Sequence, residues 1–294
     1  MSEAGQGITS EGLLAVIWTL ASVSTVLLAG RLLIRSILLK GFHLDDIFAA
    51  VSWLLMILVV IIATVQLPLS YQYASILTGE SPAPPESELA DMAIRLRKWD
   101  IPSATFFWTS LFCVKLSLMF LYKIVFCSHN KFNRVWLWSL IYIVLCYGIC
   151  LACVYVQCGG ANNLFSYEKC RTPYVSSLVS RLIWVEYFFN VTSDIVVIAL
   201  PMPVIWRLNM RKKQKFALSA ICSLAMITIA FDTARCVKLH LLDSHLTKLY
   251  SYLHLLVSVL ISQLPSYRFL VSPSDKDREY RRLFWSRVTE ELPL

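Results

Sequence analysis

Charge is scarce in this chain: only 16% of its 294 residues are charged, and glycine takes nine positions. A hydrophobic fraction of 57% and a mean hydropathy of +0.62 exclude an ordinary soluble domain and a disordered chain alike. Strict polar–apolar alternation is missing from the apolar stretches, which excludes a transmembrane β-barrel. A basic n-region is missing too. Met1–Glu11 is short and acidic, so no cleavable signal is expected and the first apolar stretch is expected to act as its own anchor. With five histidines and no Cys/His pairing at ligand spacing, no metal site is expected.

What the chain has is long apolar runs. A helix needs about 20 mostly apolar residues to cross the hydrocarbon core, and seven stretches qualify. They are Gly12–Leu33, Ile47–Tyr71, Ile101–Phe126, Val135–Val156, Leu178–Trp206, Phe216–Leu241 and Leu249–Leu270. Helix is the expected form, because lipid leaves a strand's backbone groups unsatisfied. Leu67-Pro68-Leu69 and Leu200-Pro201-Met202-Pro203 fall near span ends and are expected to mark ends or kinks. The chain then divides into a short outer N-terminus (1–11), a seven-helix membrane domain (12–271) and a basic tail (272–294). The longest loop is expected at Gln72–Asp100.

Basic residues cluster in every second gap. Arg31, Arg35 and Lys40 follow span 1, and Lys123, Lys131 and Arg134 follow span 3. Arg207, Arg211, Lys212, Lys213 and Lys215 follow span 5, and Arg268 with the tail supplies six more. The positive-inside rule sets the N-terminus out and the C-terminus in, as an odd number of spans requires. The net charge of +8 therefore reports topology and contact with membrane lipid, not nucleic-acid binding.

Most of the nine cysteines fall in or beside spans, where they serve as small polarizable packing residues. Cys146, Cys150 and Cys153 share a face, with Cys150 and Cys153 at C-x-x-C spacing, and packing is their expected role. Cys158 and Cys170 flank the loop between spans 4 and 5. In the expected topology that loop faces an oxidising compartment, and a disulfide pinning it is expected.

An ionisable side chain at bilayer centre costs about 2.5–3.5 kcal/mol on insertion scales, so each needs a partner or a wet cavity. The candidates are Lys115 in span 3, Glu186 and Asp194 in span 5, and Asp232 and Arg235 in span 6. Asn190 lies four residues from each span 5 acid, so the three form one polar stripe. Asp232 and Arg235 are three apart and can pair, and Lys115–Asp194 is the expected inter-helix pair. Most of them can meet in one interior zone from mid-membrane to the outer leaflet. It is either an outward-facing ligand cavity or an ion-paired lock between spans 3, 5 and 6. Asp45 and Asp46 open span 2. They are expected to cap its positive end and to pair with Arg31, Arg35 and Lys40.

These residues carry a resemblance. Arg31, Arg35 and Lys40-Gly41-Phe42-His43-Leu44-Asp45-Asp46 resemble the first inner loop of the fungal rhodopsin-domain integral membrane proteins, with His43 where Gly is usual. Lys115-Leu116-Ser117 with Tyr122, Thr192-Ser193-Asp194, Leu200-Pro201-Met202-Pro203 and Trp206-Arg207-Leu208 resemble further motifs of that family. So do Arg235 and Leu264-Pro265-Ser266-Tyr267-Arg268, and Cys158 and Cys170 match its outer-loop cysteines. The link before span 7, Leu242–Lys248, is shorter than in similar proteins. The resemblance implies an all-α, rhodopsin-like seven-helix bundle, and fold alone does not give function.

A retinal Schiff base needs a lysine deep in span 7. Leu249–Leu270 has none, so no retinal is expected. Receptor signatures are missing as well: Tyr122-Lys123-Ile124 stands where Asp-Arg-Tyr would close span 3. Three roles remain. One is a receptor-like sensor of a lipophilic small molecule, with Arg207–Lys215 as a cytoplasmic partner surface. Another, implied by the resemblance, is an accessory protein of fungal secondary-metabolite biosynthesis. The third is a membrane-embedded acid–base cyclase or isomerase using Glu186, Asp194 or Asp232. The plasma membrane and the endoplasmic reticulum both fit.

Overall fold

A computed structural model describes residues 9–39, 43–79, 81–82, 84–126, 130–160, 163–170, 172–202, 226–238 and 244–267. The described chain is an all-helical bundle, and no strand occurs among the described residues. Its helices are α1 (Ser10–Leu39), α2 (Leu44–Leu77), α3 (Glu86–Phe126), α4 (Asn130–Val156), the short α5 (Tyr167–Cys170) and α6 (Pro173–Ala199). They continue with α7 (residues 226–238) and α8 (Ser244–Gln263), which runs into a 3₁₀ turn at Leu264–Tyr267. Spans 1 to 4 are α1 to α4, and spans 5 to 7 are α6 to α8. Arg207–Lys215 and the basic tail lie outside the described residues.

Among the described residues, five helices, α1 to α4 and α6, are long and apolar enough to cross a membrane. In α3, 61% of the apolar window is buried, against 22–39% in the other four, so α3 is the central post of the bundle. Its Trp108, Leu111 and Met119 pack with Met56 and Leu67 of α2, Ile143 of α4, and Leu255 and Leu256 of α8. The outer faces reverse the soluble pattern. Val26, Val65, Trp138, Leu145 and Phe188 are all more than half exposed. A continuous apolar exterior of this kind is stable only against lipid.

Several boundaries depart from expectation. The loop expected at Gln72–Asp100 shrinks to residues 78–85, because α2 continues to Leu77 and α3 starts at Glu86. At the turn, Thr78 caps α2 and Gly79 takes a φ of 78°, a left-handed conformation that glycine adopts without strain. Glu86 and Glu88 then favour the positive N-terminal end of α3. Pro68 lies inside α2 and so does not end its span, while α6 does end just before Pro201. At its other end, Pro173 follows the cap Thr172, whose hydroxyl accepts from the Val175 amide. The short link expected at Leu242–Lys248 lies outside the described residues as far as Asp243, and α8 takes up the remainder from Ser244.

Tyr267 closes the bundle at the end of α8. Its hydroxyl donates to the Leu27 carbonyl of α1. Gly30, one turn on, leaves the room: a Cβ there would collide with the tyrosine hydroxyl.

Candidate functional site

Three polar assemblies lie along the bundle. The first joins the C-terminal part of α1 to the first turn of α2. Arg31 Nη2 meets Asp45 Oδ2 at 2.9 Å and Arg31 Nε meets Asp46 Oδ1 at 2.9 Å. One helical turn on, Arg35 Nη2 meets Asp45 Oδ2 at 2.7 Å, and its Nε lies 3.4 Å from Asp46 Oδ1. Arg31 also donates to the Ser262 carbonyl of α8 at 2.7 Å, and Ser117 of α3 donates to the Asp45 carbonyl at 2.8 Å. Asp46 accepts the His43 amide at 3.3 Å, so it caps the helix as well. Two guanidiniums against two carboxylates balance the charge, and Arg31, Asp45 and Asp46 are all about 1% exposed or less. Although His43, Asp45 and Asp46 converge closely enough to hold a cation, the two arginines already fill that electrostatic role.

The second assembly lies deeper and spans four helices. Lys115 Nζ of α3 donates to the Asn190 carbonyl (2.9 Å), Asn190 Oδ1 (2.7 Å) and Ser193 Oγ (2.6 Å), and pairs with Asp194 Oδ1 at 3.0 Å. Asn190 Nδ2 passes the chain on to Asp232 Oδ2 of α7 at 2.9 Å. Asp232 Oδ1 accepts from Arg235 Nε at 3.2 Å. Arg235 stacks its guanidinium over Phe107 and Trp108, 5.3 and 5.1 Å from the ring centroids, a favourable cation–π geometry. The structure therefore brings Lys115, Asn190, Asp194, Asp232 and Arg235 into one hydrogen-bonded chain. Glu186 lies beside it, in electrostatic range of Arg235 and Asp232. It is 6% exposed, and its Oε1 has no hydrogen-bond partner among the described residues.

Two members of this assembly escaped sequence reasoning. Ser193 falls inside a quoted motif but carries no charge to draw notice. His254 of α8 brings its Nδ1 within 3.5 Å of Asp232 Oδ1 and is 1% exposed. The signal in the sequence is an ionisable residue within Leu249–Leu270.

The third assembly is a cavity of about 660 Å³ at the end of the bundle opposite the arginine–aspartate cluster. The last turns of α2, the first turns of α3, the segment leading into α5, and Lys248 of α8 enclose it. Its walls are aromatic and aliphatic, with Tyr71, Leu77, Leu96, Phe165 and Tyr167 among them. Among the described residues, three charged ones line it: Arg97, Asp100 and Lys248. Gln66 donates to Asp100, and Lys248 and Arg97 both act on Asp100 electrostatically. Cys158, at the end of α4, is disulfide-bonded to Cys170 of α5, with Cα atoms 4.9 Å apart. Arg97 donates to both sulfurs, which ties the rim of the cavity to α3.

None of the six interior polar residues named from the sequence lines this cavity. Asp100 and Lys115 are separated by about 22 Å of helical rise, with Phe107 and Trp108 between them. The sequence places Arg97 and Asp100 in the expected loop Gln72–Asp100, and Lys248 in the expected link before span 7.

The fungal rhodopsin domain matches residues 30–272, most of the chain, and the chain belongs to that family. With its apolar helices it is an integral, multipass membrane protein. No curated protein and no solved structure matches it.

The geometry explains why the motif residues occur together. Arg31, Arg35, Asp45 and Asp46 form one ion cluster. Lys115 and Ser117, two residues apart on α3, hold α6 and the start of α2 respectively.

Proposed function

We propose that this chain is a receptor-like or accessory membrane protein that binds a lipophilic small molecule in the cavity beneath the disulfide-tied loop. The N-terminus faces out, so the cavity opens away from the cytoplasm. The observation that carries the reading is the cavity itself. Its volume of about 660 Å³ lies within the range of small-molecule sites, and apolar walls with a few convergent polar groups are their usual make-up. The deeper chain from Lys115 to Arg235 supports this division of labour. Its cations are matched by carboxylates and amides, so it locks helices together while the cavity takes the ligand. Retinal has no place in the reading, since the one described lysine of α8, Lys248, sits in the second turn at the cavity rim. An accessory role in secondary metabolism and a sensing role both use the same binding act, and Arg207–Lys215 is the proposed cytoplasmic contact for the second.

A second reading rests on Glu186, whose buried Oε1 has no hydrogen-bond partner among the described residues, as the acid of a cyclase or isomerase. Deleting the gene and profiling metabolites separates the readings. The binding reading expects no accumulated uncyclised intermediate and a lost response to, or lost handling of, an apolar compound. An accumulated intermediate that Glu186→Gln fails to clear would replace it with the enzyme.

A further inference from the structure

We infer that the cavity selects an amphipathic organic anion: a molecule with one carboxylate-like head and an apolar body. This rests on the reading that the cavity is the ligand site, and it goes further by assigning the ligand's charge. Among the described residues, two cations and one carboxylate line the cavity, so one positive charge is unbalanced. Asp100 sits under the field of both Arg97 and Lys248 and accepts from Gln66, so its own charge is already committed. The described hydrogen-bond partners of Arg97 are the two disulfide sulfurs, which are weak acceptors. A guanidinium has five N–H donors in a planar fork that suits a carboxylate, and sulfur contacts through Nη1 leave most of that fork for a ligand. Lys248 comes from α8, so the two cations reach the cavity from different helices and converge on one head group. The body of the ligand then lies against Leu77, Leu96 and Phe165. A cationic or neutral ligand would leave the extra charge uncompensated inside a half-apolar wall, which costs free energy.

The shared chemistry has two sources, a free organic acid or the head of an anionic lipid reaching in from the outer leaflet. The test uses the whole protein in nanodiscs of neutral lipid and follows tryptophan fluorescence with three probes: dodecanoate, methyl dodecanoate and dodecyltrimethylammonium. Dodecanoate is expected to bind tightest, by about fivefold over the ester, the ratio a half-exposed ion pair supplies. Lys248→Gln should erase that ratio, Lys248→Arg should keep it, and Arg97→Gln should erase it in protein whose disulfide still forms. Anionic lipid in the nanodisc that weakens dodecanoate but leaves the ester unchanged supports the anion site and names lipid as its source. Equal affinity for acid and ester overturns the charge assignment and leaves the cavity reading standing. Binding of none of the three probes overturns both.

Discussion

Replacing Arg31 by methionine tests the ion cluster at the base of α1. Arg31 gives three hydrogen bonds, to Asp45, Asp46 and the Ser262 carbonyl, at 2.9, 2.9 and 2.7 Å. Arg35 still holds Asp45 at 2.7 Å after the change, but reaches Asp46 only at 3.4 Å. One carboxylate, Asp46, then lies 1% exposed beside one distant cation. Removing one partner of a buried pair costs about 3–5 kcal/mol. For chains of about 150–250 residues a kcal/mol moves the melting temperature roughly 2–4 °C, so the variant should melt about 6–20 °C lower. The assay is built into the protein. Cys113, Cys146, Cys150, Cys153 and Cys236 are free and buried, so a thiol-reactive fluorophore reports opening of the bundle. Arg31→Met combined with Asp46→Leu leaves Arg35 against Asp45 alone, a balanced pair, and should recover most of the loss. A single variant within about 2 °C of the parent, a shift worth no more than about 1 kcal/mol, or a double variant no better than the single, would refute charge balance as the reason for the cluster.

Two further outcomes follow from the same geometry. Lys115→Met and Asp194→Asn should be non-additive in the same melting assay, with a coupling of about 0.5–3 kcal/mol, since the two groups lie 3.0 Å apart; additive losses would show that Asn190 and Ser193, not Asp194, hold the lysine. In sealed, right-side-out vesicles an impermeant maleimide should label Cys158 and Cys170 only after reduction, as the disulfide and the proposed outward-facing loop require, whereas labelling from the inner face alone would invert the topology.

The ion cluster and the interior chain were legible because hydrophobicity makes charge conspicuous. Asp45 and Asp46 stand at the edge of an apolar run with two arginines a short way upstream, and Lys115, Glu186 and Asp194 interrupt long apolar runs. His254 was less visible because a single imidazole in a span raises no alarm when neutral, and its place beside Asp232 depends on how α7 and α8 face each other. The outer ends of α2 and α3 were misread for a different reason. Hydropathy marks where a helix lies in lipid, while Gln72–Leu77 and Glu86–Asp100 stay helical without lipid because they pack against each other and keep their own backbone bonds. The cavity is made by those extensions. Arg97 and Asp100 share a turn of α3, and only the packing of α8 against α3 brings Lys248, about 150 residues further on, to them.

The spacing of the two buried charge groups sets an order for assembly in the membrane. Arg31 finds Asp45 only 14 residues later, so its charge is matched as soon as the first helical hairpin has been made. Lys115 waits 75 residues for Asn190, about 4–15 s at the usual pace of synthesis. During that interval the future central post of the bundle holds a cation with no carboxylate from its final partner helix. Its natural place is the aqueous or protein-lined flank of the insertion machinery, not open lipid. α3 would then dock last among the early helices, although α1 to α4 have all been made before its partner on α6 appears.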